Sequence, residues 1–337
     1  MQHAGLLRRR PGYYVACIAA AVGAFAGLWA LFAVLGNSWF QLVVAGLLAA
    51  VGAQIGYLAH DGAHRQMFQA RWCNEWVARV LAGAFAGLSF AWWAGKHNRH
   101  HGAPNQEGKD PDIAAGVIAF TDSAATGKRG VARFLVRRQG WYFFPLLLLE
   151  GLHLHVSSLR ELIRRPDARW RRVELAMIAA RLAGYLAVVL LFLPPGKAAA
   201  FVGVQLAALG VLLGGSFAPN HIGMPTVPRG TRLDFLHRQT LMSRNISGGA
   251  LTSIAMGGLN YQIEHHLFPS MPRPHLRKAA PLVRQFCAEH GIPYTQTTLM
   301  GAYRAIWRHL NEVGLRAADP YACPLASTLR QSVGSAR

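Results

Sequence analysis

Four long apolar stretches restrict what this chain can fold into more than any other feature of its sequence. Each is long enough to cross the hydrocarbon core of a bilayer, which takes about 20 apolar residues in a helix. They run from about Tyr13 to Gly36, Trp39 to Ala59, Val173 to Leu193 and Ala198 to Pro219. Short linkers at 36–38 and 194–197 join them in pairs, so the sequence predicts two tight transmembrane hairpins.

The predicted fold class is an all-α integral membrane protein with four transmembrane helices and a cytoplasmic helical cap. Of the 337 residues, 52% are hydrophobic and only 15% are charged, which is too apolar for an ordinary soluble domain. The first span is too long for a cleaved signal peptide and is expected to stay in the protein. The predicted segments are a basic lead (1–12), a first hairpin (13–59), a polar segment (60–172), a second hairpin (173–219), a further polar segment (220–318) and a loose tail (319–337).

Positive charge is distributed unevenly along the chain. The formal net charge is +20, yet the two hairpin tips carry a single basic residue, Lys197. By the positive-inside rule, both termini and segment 60–172 therefore face the cytoplasm. The charge also attracts anionic lipid headgroups, and we find no nucleic-acid-binding motif. The four cysteines are scattered and indicate neither a disulfide framework nor a thiolate metal site.

A fifth apolar segment, 141–156, resembles a further span. Pro145 and Glu150 interrupt it, and a crossing there would separate the histidine clusters described below onto opposite sides of the membrane. We therefore predict an interfacial helix that lies along the membrane surface. His153 and His155 within it are not expected to bind metal, because positions i and i+2 do not share a helix face.

Histidines are concentrated where the polar segments meet the spans. His97, His100 and His101 lie at i, i+3 and i+4, so a helix projects all three from one face. His60 and His64 form an i, i+4 pair at the end of the second span. A third cluster reads Gln262-Ile263-Glu264-His265-His266, and His221 follows the fourth span.

The predicted topology brings these clusters to one membrane face. Eight histidines exceed what one ion binds, since a structural zinc site takes four ligands and a catalytic site three. They suit two metal ions. Imidazole ligands are typical of iron, copper and zinc, and the ligand type alone does not choose among these metals.

The full set of motifs resembles the membrane-bound fatty acid desaturase family, over about residues 50–290. The pattern HxxxH, HxxHH and QxxHH carries the resemblance. Finer details are similar to the front-end, linoleoyl-CoA-desaturase-like branch, namely Pro104-Asn105 and Asp110-Pro111-Asp112 after the second cluster, Asn220-His221, Gln239-Thr240-Leu241, Ser243-Arg244-Asn245, and Leu267-Phe268-Pro269 with Met271-Pro272-Arg273 after the third.

What the resemblance implies is a non-haem di-iron centre that uses O2 to remove two hydrogens from adjacent methylenes, introducing a cis double bond. An unactivated C–H bond offers no acidic proton and no leaving group, so acid–base or nucleophilic side chains would not suffice. The implied iron ligands are His60, His64, His97, His100, His101, His221, His265 and His266.

Other residues are implied to support these ligands. Gln262 stands where other branches of the family have a histidine, and it would bind iron, hold a water or orient His265. The residues expected to orient imidazoles are Asp61, Asp112, Asn220 and Glu264. For each of these four, turn formation or ordinary solvation is the alternative interpretation.

The expected partners are a lipid substrate and a separate source of electrons. The fatty acyl group would be carried by CoA, a carrier protein or a phospholipid. Many eukaryotic front-end enzymes carry a fused cytochrome domain, for which residues 1–12 leave no room. We therefore expect a separate donor, such as ferredoxin with an NADPH-linked reductase, docked on the basic tail. The Arg-, Ala- and Gly-rich composition indicates a GC-rich bacterium and hence its inner membrane.

Two other functions are compatible with parts of the pattern. A di-iron hydroxylase of lipids, alkanes or carotenoids would use the same ligands. A metal transporter would need polar residues along its spans, where Gln54, Arg181 and Gln205 are the only strongly polar interior positions. Arg181 is expected to snorkel towards the interface, with an orientation into the bundle interior as the alternative. The Trp92-Trp93 pair is either an interfacial anchor or the wall of a lipid channel.

Overall fold

The computed structural model describes residues 1–167 and 169–316, and these are mostly helical. The predicted loose tail from Asp319 lies outside the described residues. Two short strands, β1 (Asn245–Ser247) and β2 (Gln296–Thr298), pair in parallel. The helices are α1 (Pro11–Leu35), α2 (Gln41–Ala63), α3 (Arg71–Val80), α4 (Phe90–Gly102), α5 (Asp122–Thr126), α6 (Gly130–Val136), α7 (Gln139–Arg164), α8 (Arg171–Phe192), α9 (Pro195–His221), α10 (Phe235–Leu241), α11 (Ala250–Ala255), α12 (Gln262–Leu267), α13 (Arg273–Glu289) and α14 (Leu299–Arg316).

The four predicted apolar stretches are long helices joined in pairs. They correspond to α1, α2, α8 and α9, each long and apolar enough to cross a membrane. Gly36 ends α1 with a positive φ of 53°. The side-chain amide of Gln41 then bridges the connection between α1 and α2. Its Nε2 donates to the carbonyls of Phe32 at 2.7 Å and Gly36 at 2.8 Å. Pro195 is the first residue of α9. Proline has no backbone N–H, and this costs nothing here because the N–H groups of a first helical turn have no acceptor within the helix.

Helix α7 is longer than the apolar segment predicted from the sequence. It has 26 residues and is a fifth candidate span by length and composition. Gly151 of α7 and Gly210 of α9 allow the two backbones to touch, because a Cβ on either would overlap the other helix. Length and composition therefore give five candidate helices where the sequence predicts four spans, and a sixth candidate if the bent pair Arg71–Ala86 and Phe90–Gly102 counts as one broken span.

A broken helix directs the central histidines. Helix α3 continues as a π-helical turn over Leu81–Ala86, and α4 then leaves at an angle of 116°. Gly87 makes this bend with a φ of +74°. Ser89 caps the new helix, since its Oγ accepts a hydrogen bond from the Trp92 amide at 3.1 Å.

Of the two orientations expected for Arg181, the structure shows the one that faces the bundle interior and not the favoured snorkelling. Its Nε donates to the Phe85 carbonyl at 2.8 Å, and its guanidinium lies over the rings of Phe25 and Tyr185. The π-helical turn exposes carbonyls that have no partner in an α-helical ladder, and Arg181 satisfies one of them. This charge therefore faces the helix bundle.

The shorter elements form a cap, which we define as residues 103–138 and 222–316. Helix α12 packs against α10 and α13, and its Ile263 joins a core with Val283 and Cys287. Helix α14 packs along the start of α7, where Phe143 meets Ile306. The cap thus closes over the ends of α2, α4 and α9 that carry histidines.

Candidate metal centre

Eight histidines from four parts of the chain meet in one cluster. Helix α2 and the residue after it supply two, α4 supplies three, the last residue of α9 supplies one, and α12 supplies two. They are the predicted ligands His60, His64, His97, His100, His101, His221, His265 and His266. The chain reaches α12 through Gly257, whose positive φ and missing Cβ let it pack against the ring of Tyr57 in α2.

The eight imidazoles divide into two adjacent groups. The five-histidine group consists of His60, His64, His97, His101 and His265, and the three-histidine group of His100, His221 and His266. Within each group, one nitrogen from every ring lies within 4.8 Å of the others. The groups are neighbours, because the rings of His101 and His266 stack with centroids 4.1 Å apart.

Several imidazole nitrogens converge on the same point. The Nε2 atoms of His97 and His101 are 3.0 Å apart, and those of His101 and His265 are 3.1 Å apart. A neutral imidazole has one N–H and one lone pair, so three rings that meet at one point cannot all be satisfied by each other. Such a cluster is favourable when a cation accepts the lone pairs.

Buried nitrogens without partners support the same conclusion. Among the described residues, the Nε2 atoms of His60, His64 and His266 have no hydrogen-bond partner. Burial and the neighbouring imidazoles lower the pKa of His265 and His266 well below the usual value, so both rings are neutral. Neutral imidazole is the form that binds metal, and the residues present therefore fit one ion in each group.

Carboxylates and carbonyls hold the outer nitrogens of several imidazoles. His60 Nδ1 lies 3.2 Å from Asp61 Oδ1, as predicted from the sequence. His221 Nδ1 donates to the Met242 carbonyl at 2.9 Å. An N–H at Nδ1 fixes the tautomer that leaves the Nε2 lone pair free for a metal.

His100 contacts two carboxylates. Its Nδ1 lies 2.9 Å from Asp110 Oδ2 and 3.3 Å from the predicted partner, Asp112. Asp110 is buried and also accepts from the backbone N–H of Asn105 at 2.7 Å. Asp112 is 39% exposed and pairs with Lys96. Asp110 is thus the closer and more deeply buried partner of His100. It belongs to the motif Asp110-Pro111-Asp112 that the sequence singled out, although the partner predicted there was Asp112.

Gln262 and Asn220 belong to the three-histidine group. Gln262 Nε2 lies 2.9 Å from His221 Nε2, and Gln262 Oε1 accepts from the Asn220 amide at 3.1 Å. Asn220 therefore contacts Gln262 and orients no imidazole directly. Gln262 is placed against His221, whereas the sequence had associated it with His265.

Glu264 differs from the expectation that it orients an imidazole. Its carboxylate accepts from Asn245 Nδ2 at 2.7 Å and from the Tyr294 hydroxyl at 2.8 Å. No hydrogen bond joins it to a histidine in the part of the chain that the structure describes. Successive residues of a helix point about 100° apart, so Glu264 faces away from the centre when His265 faces it. Burial raises the pKa of Glu264.

Two further residues at the site were not assigned a role from the sequence. Gln239 Oε1 accepts from His266 Nδ1 at 2.9 Å, and its Nε2 donates to the His101 carbonyl at 3.0 Å. Arg273 is 12% exposed, with its Nη2 2.7 Å from Asp61 Oδ2. Both stand in motifs that the sequence singled out, although the sequence does not indicate what they touch.

The remaining histidines of α7 lie apart from both groups, consistent with the prediction. His153 is exposed beside Glu150, and His155 lies between the carbonyls of Gly151 and Ala86. Aromatic rings instead border the five-histidine group. Trp93 stacks on His97 with centroids 4.4 Å apart, and Phe217 lies 6.4 Å from His60.

Comparison with known proteins agrees with this site. The family model described as "Fatty acid desaturase" matches residues 37–298. An acyl-lipid (9-3)-desaturase of Physcomitrium patens is 32% identical over 318 residues, covering 92% of this chain and 60% of the relative. The delta(8)-fatty-acid desaturase 2 of Arabidopsis thaliana is 29% identical, covering 88% and 69%, and the human fatty acid desaturase 3 is 31% identical, covering 87% and 66%. The chain spans about two thirds of the length of these relatives.

Proposed function

The chain belongs to the fatty acid desaturase family, and we propose that it removes two hydrogens from adjacent methylenes of a fatty acyl chain to leave a cis double bond. One O2 would be reduced to two waters by two electrons from the substrate and two from a separate carrier, with two protons taken up. The single observation that carries the proposal is the pair of adjacent imidazole groups, five and three, with their unpartnered buried nitrogens.

We propose iron as the metal in both groups, held by the eight histidines. Bound iron would supply the oxygen activation and oxidising power that no side chain of this site offers. Gln262 would complete the three-histidine group after a 180° rotation of its amide, which turns the oxygen towards the same point and gives up the hydrogen bond from Asn220. A neutral amide is a weaker ligand than imidazole, so a water held by Gln262 is the alternative.

The protein's own side chains would keep the ligands in one protonation state. Asp61, Asp110 and Gln239 accept the Nδ1 protons of His60, His100 and His266. This arrangement presents lone pairs at Nε2 before a metal arrives. Burial of the cluster excludes bulk water, which protects an oxidising centre from side reactions.

We propose that the acyl chain reaches the five-histidine group past Trp93 and Phe217. Trp93 lies 5.4 Å from His60, and Phe217 lies 6.4 Å from the same ring. These two rings belong to α4 and α9, and both are half-buried where the neighbouring histidines are buried. An apolar passage beside the metal suits a methylene chain and favours the channel-wall interpretation of Trp93.

We propose that four of the five candidate helices cross the membrane. His100 of α4 lies 3.3 Å from His221 at the end of α9, and α7, α8 and α9 lie between them in the chain. Three complete crossings would put these two histidines on opposite membrane faces. Since α8 and α9 form a hairpin, α7 is the helix assigned to the interface.

The orientation follows from charge. The basic lead, the segment between the hairpins and the cap would face the cytoplasm, because the hairpin tips contain almost no basic residues. A bacterial inner membrane is proposed from composition alone. An acidic carrier such as ferredoxin would dock near Lys109, Arg229 and Arg238, the last of which donates to the Gly102 carbonyl at the end of α4.

The test is the fatty-acid profile, with double-bond positions located, of a host that expresses the wild type and a compatible donor. A host that expresses His100→Ala is the control. We expect a new unsaturated acid that is absent from the control. Hydroxylated lipids in its place would instead support the hydroxylase. An unchanged profile from protein with bound iron would overturn the assignment of ordinary acyl lipids as substrates.

A further inference from the structure

A basic and apolar surface lies where α6 meets α7. We define the α6–α7 surface as the exposed side chains of residues 128–141. Its apolar members are Val131, Phe134, Leu135 and Trp141, which are 75%, 68%, 46% and 59% exposed. Its exposed arginines include Arg129, Arg137 and Arg138. Residues 113–149 contain five basic residues and one acidic residue, and that residue, Asp122, already pairs with Arg316.

The apolar side chains share one face of the helix. Val131, Phe134 and Leu135 are spaced i, i+3 and i+4 and project together. On another side of α6, Val136 is buried against α14, where Gly314 lets the two backbones touch. Helix α6 thus has one side packed on protein and one apolar face with large exposed groups.

The surface is held rigidly in place. The Gln139 side chain exchanges hydrogen bonds with the backbone N–H and carbonyl of Ala119 at 2.8 and 2.7 Å, and it donates to the Leu310 carbonyl at 2.9 Å. Gly140 donates to Asn311 at 3.2 Å. The α6–α7 junction is therefore part of the packed cap, and its exposed face is a defined surface.

The apolar face continues along α7 towards the C-terminal end of that helix. Leu148, Leu149, Leu152 and Val156 follow Trp141 at helical spacing, and each is about half exposed. Exposed arginines stand at both ends of this stripe, with Arg137 and Arg138 at its start and Arg160 and Arg164 near the end of α7. Positive charge at the ends of a long apolar stripe is the pattern of a helix at the boundary between lipid headgroups and acyl chains.

We propose that the α6–α7 surface is a binding site for anionic phospholipids. Arg129, Arg137 and Arg138 bind lipid phosphates, since guanidinium forms paired hydrogen bonds with phosphate oxygens. Val131 and Phe134 enter the acyl layer beneath them. A zwitterionic lipid can cover the apolar face, but its headgroup has no net charge and is attracted less strongly by the arginines. The site therefore prefers a headgroup with a net negative charge. This binding is independent of the proposed reaction.

The experiment measures which lipids stay with the protein. The full-length protein is reconstituted into vesicles of phosphatidylcholine with one tenth phosphatidylglycerol and re-extracted in mild detergent. The ratio of the two lipids retained is then measured by mass spectrometry. We expect phosphatidylglycerol to be enriched among the lipids that the wild-type protein retains. In the triple variant R129Q/R137Q/R138Q, that enrichment should be at least about fivefold smaller.

A matched variant separates this site from overall charge. K109Q/R229Q/R232Q removes three exposed charges from another part of the cap and should retain the wild-type lipid ratio. Thermal unfolding curves that coincide for all three proteins establish that the fold is intact. Equal enrichment in the wild type and the α6–α7 variant, or an equal loss in the matched variant, would overturn the proposal.

Discussion

Arg79 and Glu174 form an ion pair inside the helix bundle, with Arg79 Nε 3.0 Å from Glu174 Oε1. Their side chains are 6% and 0% exposed. The second oxygen of Glu174 accepts from Ser89 Oγ at 2.5 Å, and the carboxylate also accepts from the Ala91 amide at 3.3 Å. Since Ser89 and Ala91 begin α4, the pair from α3 and α8 holds the helix that carries the three central histidines.

Removing the carboxylate of Glu174 should destabilise the protein strongly. We expect Glu174→Ala to lower the free energy of unfolding by about 3 kcal/mol, because the charge of Arg79 stays buried without a partner. Denaturant titration in detergent measures this loss. Glu161→Ala is the control, since Glu161 and Arg165 form an exposed pair worth less than about 1 kcal/mol. Equal losses in the two variants would contradict the role given to the buried pair.

The two histidine groups should bind metal separately. We expect about two iron ions per wild-type chain and about one in His221→Ala, which leaves two imidazoles in its group, whereas His64→Ala leaves four imidazoles and should hold its ion more weakly. Elemental analysis of purified protein gives the stoichiometry. His153→Ala should keep both ions, because His153 is exposed beside Glu150. One ion in the wild type, or two tightly held ions in His221→Ala, would exclude a two-metal site with these ligands.

Much of the helical framework was predictable because it depends on patterns that the sequence displays directly. Apolar runs of span length became α1, α2, α8 and α9, and the short linkers became tight turns. The 116° bend between the π-helical turn and α4 was not predictable. It depends on side chains distant in sequence, such as Glu174, that satisfy the backbone groups freed by the bend.

The site was predictable as a set of histidines but not as a pair of groups. Helical spacing puts His97, His100 and His101 on one face, yet His100 joins His221 while the other two join the five-histidine group. Helix direction and packing decide that division, and neither is visible in a local motif. The same limit applies to Glu264, which adjoins two histidines in sequence and faces Asn245 in space.

Asp110 should contribute more to metal binding than Asp112. Asp110 is buried 2.9 Å from His100 Nδ1, whereas Asp112 is farther away and partly solvated. We expect Asp110→Asn to weaken iron binding by about 10- to 100-fold, which is typical when a carboxylate behind a ligand imidazole is lost. Asp112→Asn should weaken it less. Competition with a chelator measures both affinities, and the reverse order would indicate that Asp112 orients His100.

The ring of Trp93 should help to select which methylenes react. It stacks on His97 and lies 5.4 Å from His60, so it fills space directly beside the five-histidine group. Trp93→Ala opens that space, and we expect an acyl chain to bind at more than one depth. The unsaturated product should then change in double-bond position or preferred chain length, while the iron content stays near that of the wild type.

Trp92 provides the control for this prediction. It precedes Trp93 in α4, and within the described residues its ring stacks on no histidine, so Trp92→Ala should leave the product distribution unchanged. Gas chromatography with location of the double bonds compares the three proteins in one host. A Trp93→Ala protein that is merely slower, with an unaltered product, would mean that Trp93 supports His97 without touching the acyl chain. A shift in Trp93→Ala alone would locate the reacting methylenes beside this ring, because a general loosening of α4 would affect both variants.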